Sequence, residues 1–240
     1  MLGRRTKAAV IVVALLVLAV EGVLLVRYYG RYYGVDAPSA GNAASSAPAF
    51  ERTVPERTAS TGDLPSAANG AAFVHRATDA NSRGDYTYLD DPRIDGDPNA
   101  VVLARPTGSY ERNIGVWYEP ERRRWAIFNQ DLAAVPDGSA FGVVVPPADE
   151  GFVHRAELLN TVGNATYLDD PLLDGKPDAE VSVTQNWNPG GGGGVYNDHP
   201  VGVRYDEDEG EWFVHNEDDA RMPEGAAFNV AASGAAESAR

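Results

Sequence analysis

The feature that most constrains this chain is an internal duplication. Phe73-Val74-His75-Arg76-Ala77 returns as Phe152-Val153-His154-Arg155-Ala156, and Thr87-Tyr88-Leu89-Asp90-Asp91-Pro92 returns as Thr166-Tyr167-Leu168-Asp169-Asp170-Pro171. Asp95-Gly96 and Pro98 match Asp174-Gly175 and Pro177. The spacing is constant through this stretch, which shared composition alone does not produce. After Ala100 and Ala179 the second copy carries an insertion, and register then resumes. Gly115-Val116 and Tyr118 match Gly202-Val203 and Tyr205, Trp125 matches Trp212, and Asn129, Pro136, Gly138 and Phe141 match Asn216, Pro223, Gly225 and Phe228. The repeats run over residues 71–147 and 148–231.

Each copy consists of short β-like runs separated by turn residues. In copy one these are Phe73 to Ala77, Asn99 to Ala104, Ile114 to Tyr118, Trp125 to Asn129 and Ala140 to Val145. The polar segment between the third and fourth runs predicts a hairpin. Trp125 and Trp212 follow that hairpin and are expected at equivalent core positions. No segment of the repeats carries the period of a long amphipathic helix. The expected fold class is all-β, as two tandem β-sandwich or barrel-like repeats.

An N-terminal transmembrane helix and a disordered linker are expected to precede them. Residues 8–26 read AAVIVVALLVLAVEGVLLV, enough helix to cross a hydrocarbon core of about 30 Å. Arg4, Arg5 and Lys7 put residues 1–7 in the cytoplasm by the positive-inside rule, although Arg27 and Arg31 pull the other way. The expected location is the cell membrane, single-pass, with the C-terminal domain extracellular. A cleavable signal peptide is the competing reading. Residues 27–70 and 232–240 are rich in small and polar residues without apolar periodicity and read as disordered. The chain has no cysteine, which removes disulfides and thiolate chemistry. Its net charge of −15 excludes nucleic acid as a partner of the folded part.

Taken together, these motifs resemble an uncharacterised bacterial family of tandem extracellular β repeats. Its pattern runs F-x-H-x-A, T-x-L-D-x-P, N-W-N-P-G, G-V-x-Y, W-x-I-F-N-Q-D and A-F-N-V. The resemblance covers Ala71 to Ala231 and implies fold and location, not an activity. The copies depart from the pattern in different places. Copy one keeps Trp125 to Asp131 but has Arg105-Pro106-Thr107-Gly108 where copy two has Asn186-Trp187-Asn188-Pro189. Copy two has Val214-His215-Asn216-Glu217-Asp218 in place of the Ile-Phe-Asn-Gln-Asp stretch.

Three groups of residues could carry chemistry. His75 and His154 share a strand face with Phe and Ala, which points to buried histidines hydrogen-bonded to backbone. Asp90, Asp91, Asp95 and Asp97, with Asp169, Asp170, Asp174 and Asp178 in copy two, cluster on bent loops. Such oxygen donors suit calcium, and the alternative is a solvated loop in which Asp side chains cap turns. The segment from Asn186 to His199 is the candidate ligand-binding loop. Trp187 and Tyr196 offer flat apolar faces, and Asn186, Asn188, Asn197 and His199 offer donors and acceptors for a sugar or extended peptide. The alternative is a loop whose Trp packs back on its own domain.

The expected function is non-enzymatic: a binding or adhesion module for wall polymer, glycan or a surface protein, with no required cofactor. The alternative is a structural surface spacer with weak calcium binding, and a hydrolase comes third. The charge differs between copies. Residues 71–147 hold 8 basic and 11 acidic residues, and residues 148–231 hold 4 and 18. Arg122-Arg123-Arg124 faces Glu209-Gly210-Glu211 at the equivalent hairpin, which suggests weak head-to-tail self-association or two drifted solvated turns.

Overall fold

The computed structural model describes residues 70–233. The expected cytoplasmic tail, membrane run and tether up to residue 69 lie outside the described residues, as does the tail from residue 234. Repeat one contributes β1 (Ala71–Arg76), β2 (Ser82–Arg83), β3 (Tyr86–Tyr88), β4 (Leu103–Pro106), β5 (Ile114–Glu119), β6 (Arg124–Asn129) and β7 (Ala140–Val145). Repeat two contributes β8 (Gly151–Arg155), β9 (Thr161–Val162), β10 (Ala165–Leu168), β11 (Glu180–Asn186), β12 (Val201–Asp206), β13 (Glu211–Asn216) and β14 (Ala227–Ser233). One 3-10 turn, Pro189–Gly191, follows β11.

Two elements differ from the sequence reading. The run expected at Asn99 to Ala104 forms its strand later, at Leu103–Pro106. Asp97 takes the first half into a turn: its Oδ1 accepts the Asn99 N–H at 2.9 Å. The β2–β3 hairpin was not expected. Asn81 builds it by accepting the Thr78 N–H at 2.7 Å and donating to the Arg76 carbonyl at 2.9 Å. Asn160 repeats both bonds with Glu157 and Arg155, at 2.7 and 3.0 Å. An Asn that satisfies local backbone on both sides gives the chain an alternative to a continued ladder.

Strand pairing is the same in both copies. β1-β7-β4 form one sheet in repeat one, and β8-β14-β11 stand in the same order in repeat two. β2-β3-β6-β5 correspond to β9-β10-β13-β12. In each copy the two sheets face one another across a core. Repeat one buries Leu89, Val116, Trp125, Ile127, Phe141 and Val143 there, and repeat two buries Leu168, Val203, Trp212, Val214, Phe228 and Val230. Trp125 stacks edge-on with Tyr118 at 5.6 Å, and Trp212 with Tyr205 at 5.5 Å. Their indole N–H groups donate to the carbonyls of Asp97 at 2.9 Å and Lys176 at 3.0 Å. The acidic turn therefore caps the tryptophan in both copies.

The repeats are joined by their sheets. β11 pairs in parallel with β5, Gln185 opposite Gly115 and Asn186 opposite Val116, which makes a seven-stranded sheet β2-β3-β6-β5-β11-β14-β8. Leu103, Val144 and Ala231 form a small third cluster between the two main cores. The outer edge of β4 is closed by side chains of repeat two. Thr184 Oγ1 accepts the Ala104 N–H at 3.0 Å and donates to the Ala104 carbonyl at 3.1 Å. Asn229 donates to the Val102 carbonyl at 2.8 Å. An unpaired strand edge is a template for unwanted pairing, and here it is covered.

Candidate functional site

The outer face of the seven-stranded sheet carries a row of aromatic rings. Strand alternation sends Val116, Tyr118, Trp125 and Ile127 into the core, so Trp117 and Ala126 point outward with Tyr86 and Tyr88. The register aligns Tyr88, Ala126 and Trp117 across β3, β6 and β5. Trp187 extends the line, since its N–H donates to the Val116 carbonyl at 2.9 Å. Ring centroids lie 5.2 Å apart for Tyr86–Tyr88, 5.6 Å for Tyr86–Trp117 and 6.4 Å for Trp117–Trp187, all edge-to-face. All four rings are half-buried. The row crosses three strand spacings, about 14 Å. Phe128 and Tyr196 flank it at a centroid distance of 6.1 Å.

Charged groups edge this row at one end. Tyr88 donates to Glu119, and the Arg122 guanidinium lies 5.1 Å over the Tyr88 ring while pairing with Glu119 at 3.2 Å. Burial, then the bond to Glu119, pushes the Tyr88 phenol well above its ordinary value. A concavity beside Tyr88 is lined by Thr78, Asn81, Asp90, Arg122 and Arg124. Repeat two does not reproduce the row. Arg204 replaces Trp117, Ala165 replaces Tyr86, and Phe213 replaces Ala126, although Tyr167 donates to Asp206 at 3.1 Å much as Tyr88 does to Glu119.

The candidate loop residues separate into two groups. Asn186, Asn188 and Asn197 are buried and hold the fold together. Asn186 donates to Asn229 Oδ1 at 2.9 Å. Asn188 bonds both backbone groups of Tyr118 at 2.8 Å. Asn197 and Asn216 exchange carboxamide bonds at 2.9 and 3.1 Å. Trp187, Tyr196 and His199 remain at the surface, with Tyr196 donating to the Gln130 carbonyl at 2.6 Å and His199 Nδ1 2.7 Å from Asp218. The glycines after Pro189 let this loop fold tightly: a Cβ on Gly194 would stand 1.8 Å from the Trp187 carbonyl oxygen.

The eight candidate aspartates do not converge. Among the described residues no three acidic or histidine side chains are grouped to hold a metal ion. Asp91 accepts from the Arg93 backbone at 3.0 Å and pairs with its guanidinium, which holds its carboxyl below the usual range. Asp170 accepts the Leu172 N–H at 2.9 Å and Asp97 that of Asn99 at 2.9 Å, so both cap turns. Asp90 and Asp95 face Arg124 at 2.8 and 3.7 Å. Arg122 and Arg124 of the basic hairpin are thus both in ion pairs within repeat one.

His75 and His154 are buried, and their partners are hydroxyls rather than backbone. Nε2 lies 2.8 Å from Thr87 Oγ1 in repeat one and 2.7 Å from Thr166 Oγ1 in repeat two. Burial pushes His75 down and His154 down to about 4. Sequence reasoning missed Tyr86, Tyr88 and Trp117. The signal available was that Trp117 alternates with the apolar Val116 and Tyr118 and has no aromatic counterpart in copy two.

This is a tandem-repeat protein of all-β class whose two units share one sheet and whose surface row lies across the junction. The chain belongs to the family described as Domain of unknown function (DUF7452), whose profile matches twice, over residues 64–119 and 115–232. The second match crosses the border between the repeats. No curated protein matches the chain, and no solved structure does.

Proposed function

We propose that this chain is a non-enzymatic binding module, held outside the cytoplasm by residues 8–26, that lays an extended carbohydrate polymer along the aromatic row. The observation that carries this reading is the continuity of Tyr88, Tyr86, Trp117 and Trp187 across the junction. Half-buried rings offer apolar surface to the C–H faces of sugars, and Glu119, Arg122 and the exposed Asp90 of the adjoining concavity supply polar groups for hydroxyls. Retention on insoluble wall polysaccharides tests it. Trp117→Ala and Trp187→Ala are expected to weaken retention about tenfold each, some 1.4 kcal/mol. Unchanged retention of both variants defeats the reading. Protease added to intact cells is expected to remove the repeats, and full protection would reverse the orientation.

A spacer is the second reading. The buried amide contacts at the junction favour it, because they make the two repeats one stiff body. A spacer keeps its reach and binds no polymer, so the same two variants decide between the readings.

A further inference from the structure

The two repeats present the same strand edge, filled in one and open in the other. In repeat one, the edge of β5 receives β11: Gln185 and Asn186 pair with it, Trp187 donates to Val116, and Asn188 bonds Tyr118 twice. In repeat two the equivalent strand is β12, and it ends its four-stranded sheet. Among the described residues no strand lies along its outer edge, the edge on which Val203 and Tyr205 correspond to the β11-bonded Val116 and Tyr118. β12 nevertheless keeps Gly202, Val203 and Tyr205, the counterparts of Gly115, Val116 and Tyr118.

The side chains beside this edge are also set for an occupant. Gln185 lies opposite Gly115 and accepts from Gln130 Nε2 at 2.6 Å. The positions of Phe128 and Gln130 are taken in repeat two by His215 and Glu217. A Cβ on Gly202 would point at His215 Nε2, 2.9 Å away, and at Glu217 Oε1, 3.0 Å away. The His215 Nε2 atom is buried and has no hydrogen-bond partner. A carboxamide arriving where Gln185 stands in repeat one would donate to Glu217 and accept from His215. Both groups are then satisfied by one side chain.

We propose that the outer edge of β12 docks an extended segment of another polypeptide, running parallel to it and carrying Gln-Asn-x-Asn, the connector chemistry of a further repeat of this family. The first Gln meets His215 and Glu217, and the second Asn takes the backbone groups of Tyr205. Such strand addition draws affinity from main-chain bonds and specificity from alternate side chains. This chain cannot supply the segment through its own repeat one. The strand register corrects the alignment read from the sequence: Pro106 pairs with Phe141 as Gln185 pairs with Phe228, so Pro106, Gly108 and Ser109 stand where Gln185, Trp187 and Asn188 stand in repeat two, and the edge of β4 is already closed.

A labelled peptide of the sequence Val-Thr-Gln-Asn-Trp-Asn-Pro-Gly, titrated with the full-length chain in detergent micelles, tests the proposal by fluorescence anisotropy. Saturable binding is expected. Ala in place of the last Asn, or Leu in place of Gln, is expected to weaken it about tenfold. In the chain, His215→Phe, which installs the residue type of Phe128, and Glu217→Leu are expected to weaken it severalfold with no change in thermal unfolding. Absence of saturable binding up to about 1 mM overturns the proposal. So does binding indifferent to the peptide and chain variants. A dimer of the chain alone that the peptide dissolves also overturns it, by giving the edge to a second copy.

Discussion

The Asn188 side chain acts as a strand for Tyr118. Its Oδ1 accepts the Tyr118 N–H at 2.8 Å and its Nδ2 donates to the Tyr118 carbonyl at 2.8 Å. One carboxamide thereby reproduces both bonds of a ladder pair, just past the point where β11 leaves the sheet. The consequence is that repeat two is fastened to repeat one through the backbone of a core residue, not through surface charge.

Asn188→Ala is therefore expected to lower stability by roughly 2–4 kcal/mol, since two buried backbone groups lose their partners. Asn188→Asp is expected to cost more. A carboxylate still accepts the N–H but cannot donate to the carbonyl, and it brings charge into a buried place. Urea unfolding followed by Trp fluorescence measures both. A loss below about 1 kcal/mol for either variant contradicts the reading.

Trp125 and Trp212 hold equivalent places, and their replacement is expected to have equivalent effects. Burying such a ring is worth about 2–3 kcal/mol, and Trp→Ala is expected to cost roughly 3–5 kcal/mol in either repeat. Because the sheet is shared, each variant is expected to unfold the whole chain in one transition. Two separate transitions in a urea titration of the Trp212→Ala variant would show that the junction does not couple the repeats.

The duplication made much of this fold legible. Identical spacing located the paired tryptophans, and alternation in Phe73-Val74-His75 pointed the histidine inward. The junction was not legible. Nothing in Thr184-Gln185-Asn186 distinguishes a strand that joins the neighbouring repeat from one that edges its own, because that depends on which backbone lies alongside. The same ambiguity governed the loop after it. Asn186, Asn188 and Asn197 have the donors and acceptors of a ligand site, and those capacities are used within the chain. The aromatic row is not legible in the sequence because its four rings come from three separated segments, brought together only by register.

Acid is expected to weaken the fold through His154. Burial lowers its pKa from 6.5 to about 4, so between these values the unfolded chain takes up a proton that the folded chain refuses. The stabilisation is complete above pH 6.5 and is lost progressively as pH falls to about 4. The full loss is roughly 3 kcal/mol. His75 is shifted in the same direction and adds to the slope. Asp91, whose carboxyl is held below its ordinary 3.8 by Arg93, acts only under that value. His154→Gln is expected to flatten the decline between pH 6.5 and 4. A wild-type urea midpoint constant over that window counts against this account.

One backbone position in the hairpins separates the repeats by conformation as well as by charge. Arg123 has φ of 55° and its counterpart Gly210 has φ of 74°. An L residue in this left-handed region costs about 1–2 kcal/mol, and glycine avoids the cost while losing more entropy on folding, by roughly 0.5–1 kcal/mol. Gly210→Ala is therefore expected to destabilise by about 1 kcal/mol. Arg123→Gly is expected to stabilise, by less than about 1 kcal/mol, because its guanidinium also packs against Gly96. It further removes one of three adjacent positive charges while leaving the bond from the Gly96 N–H to the residue 123 carbonyl, 2.9 Å, in place. The opposite signs carry the test. If both substitutions destabilise in urea unfolding, the packing of Arg123 on Gly96 outweighs its backbone strain, and the arginine is there to hold the acidic turn.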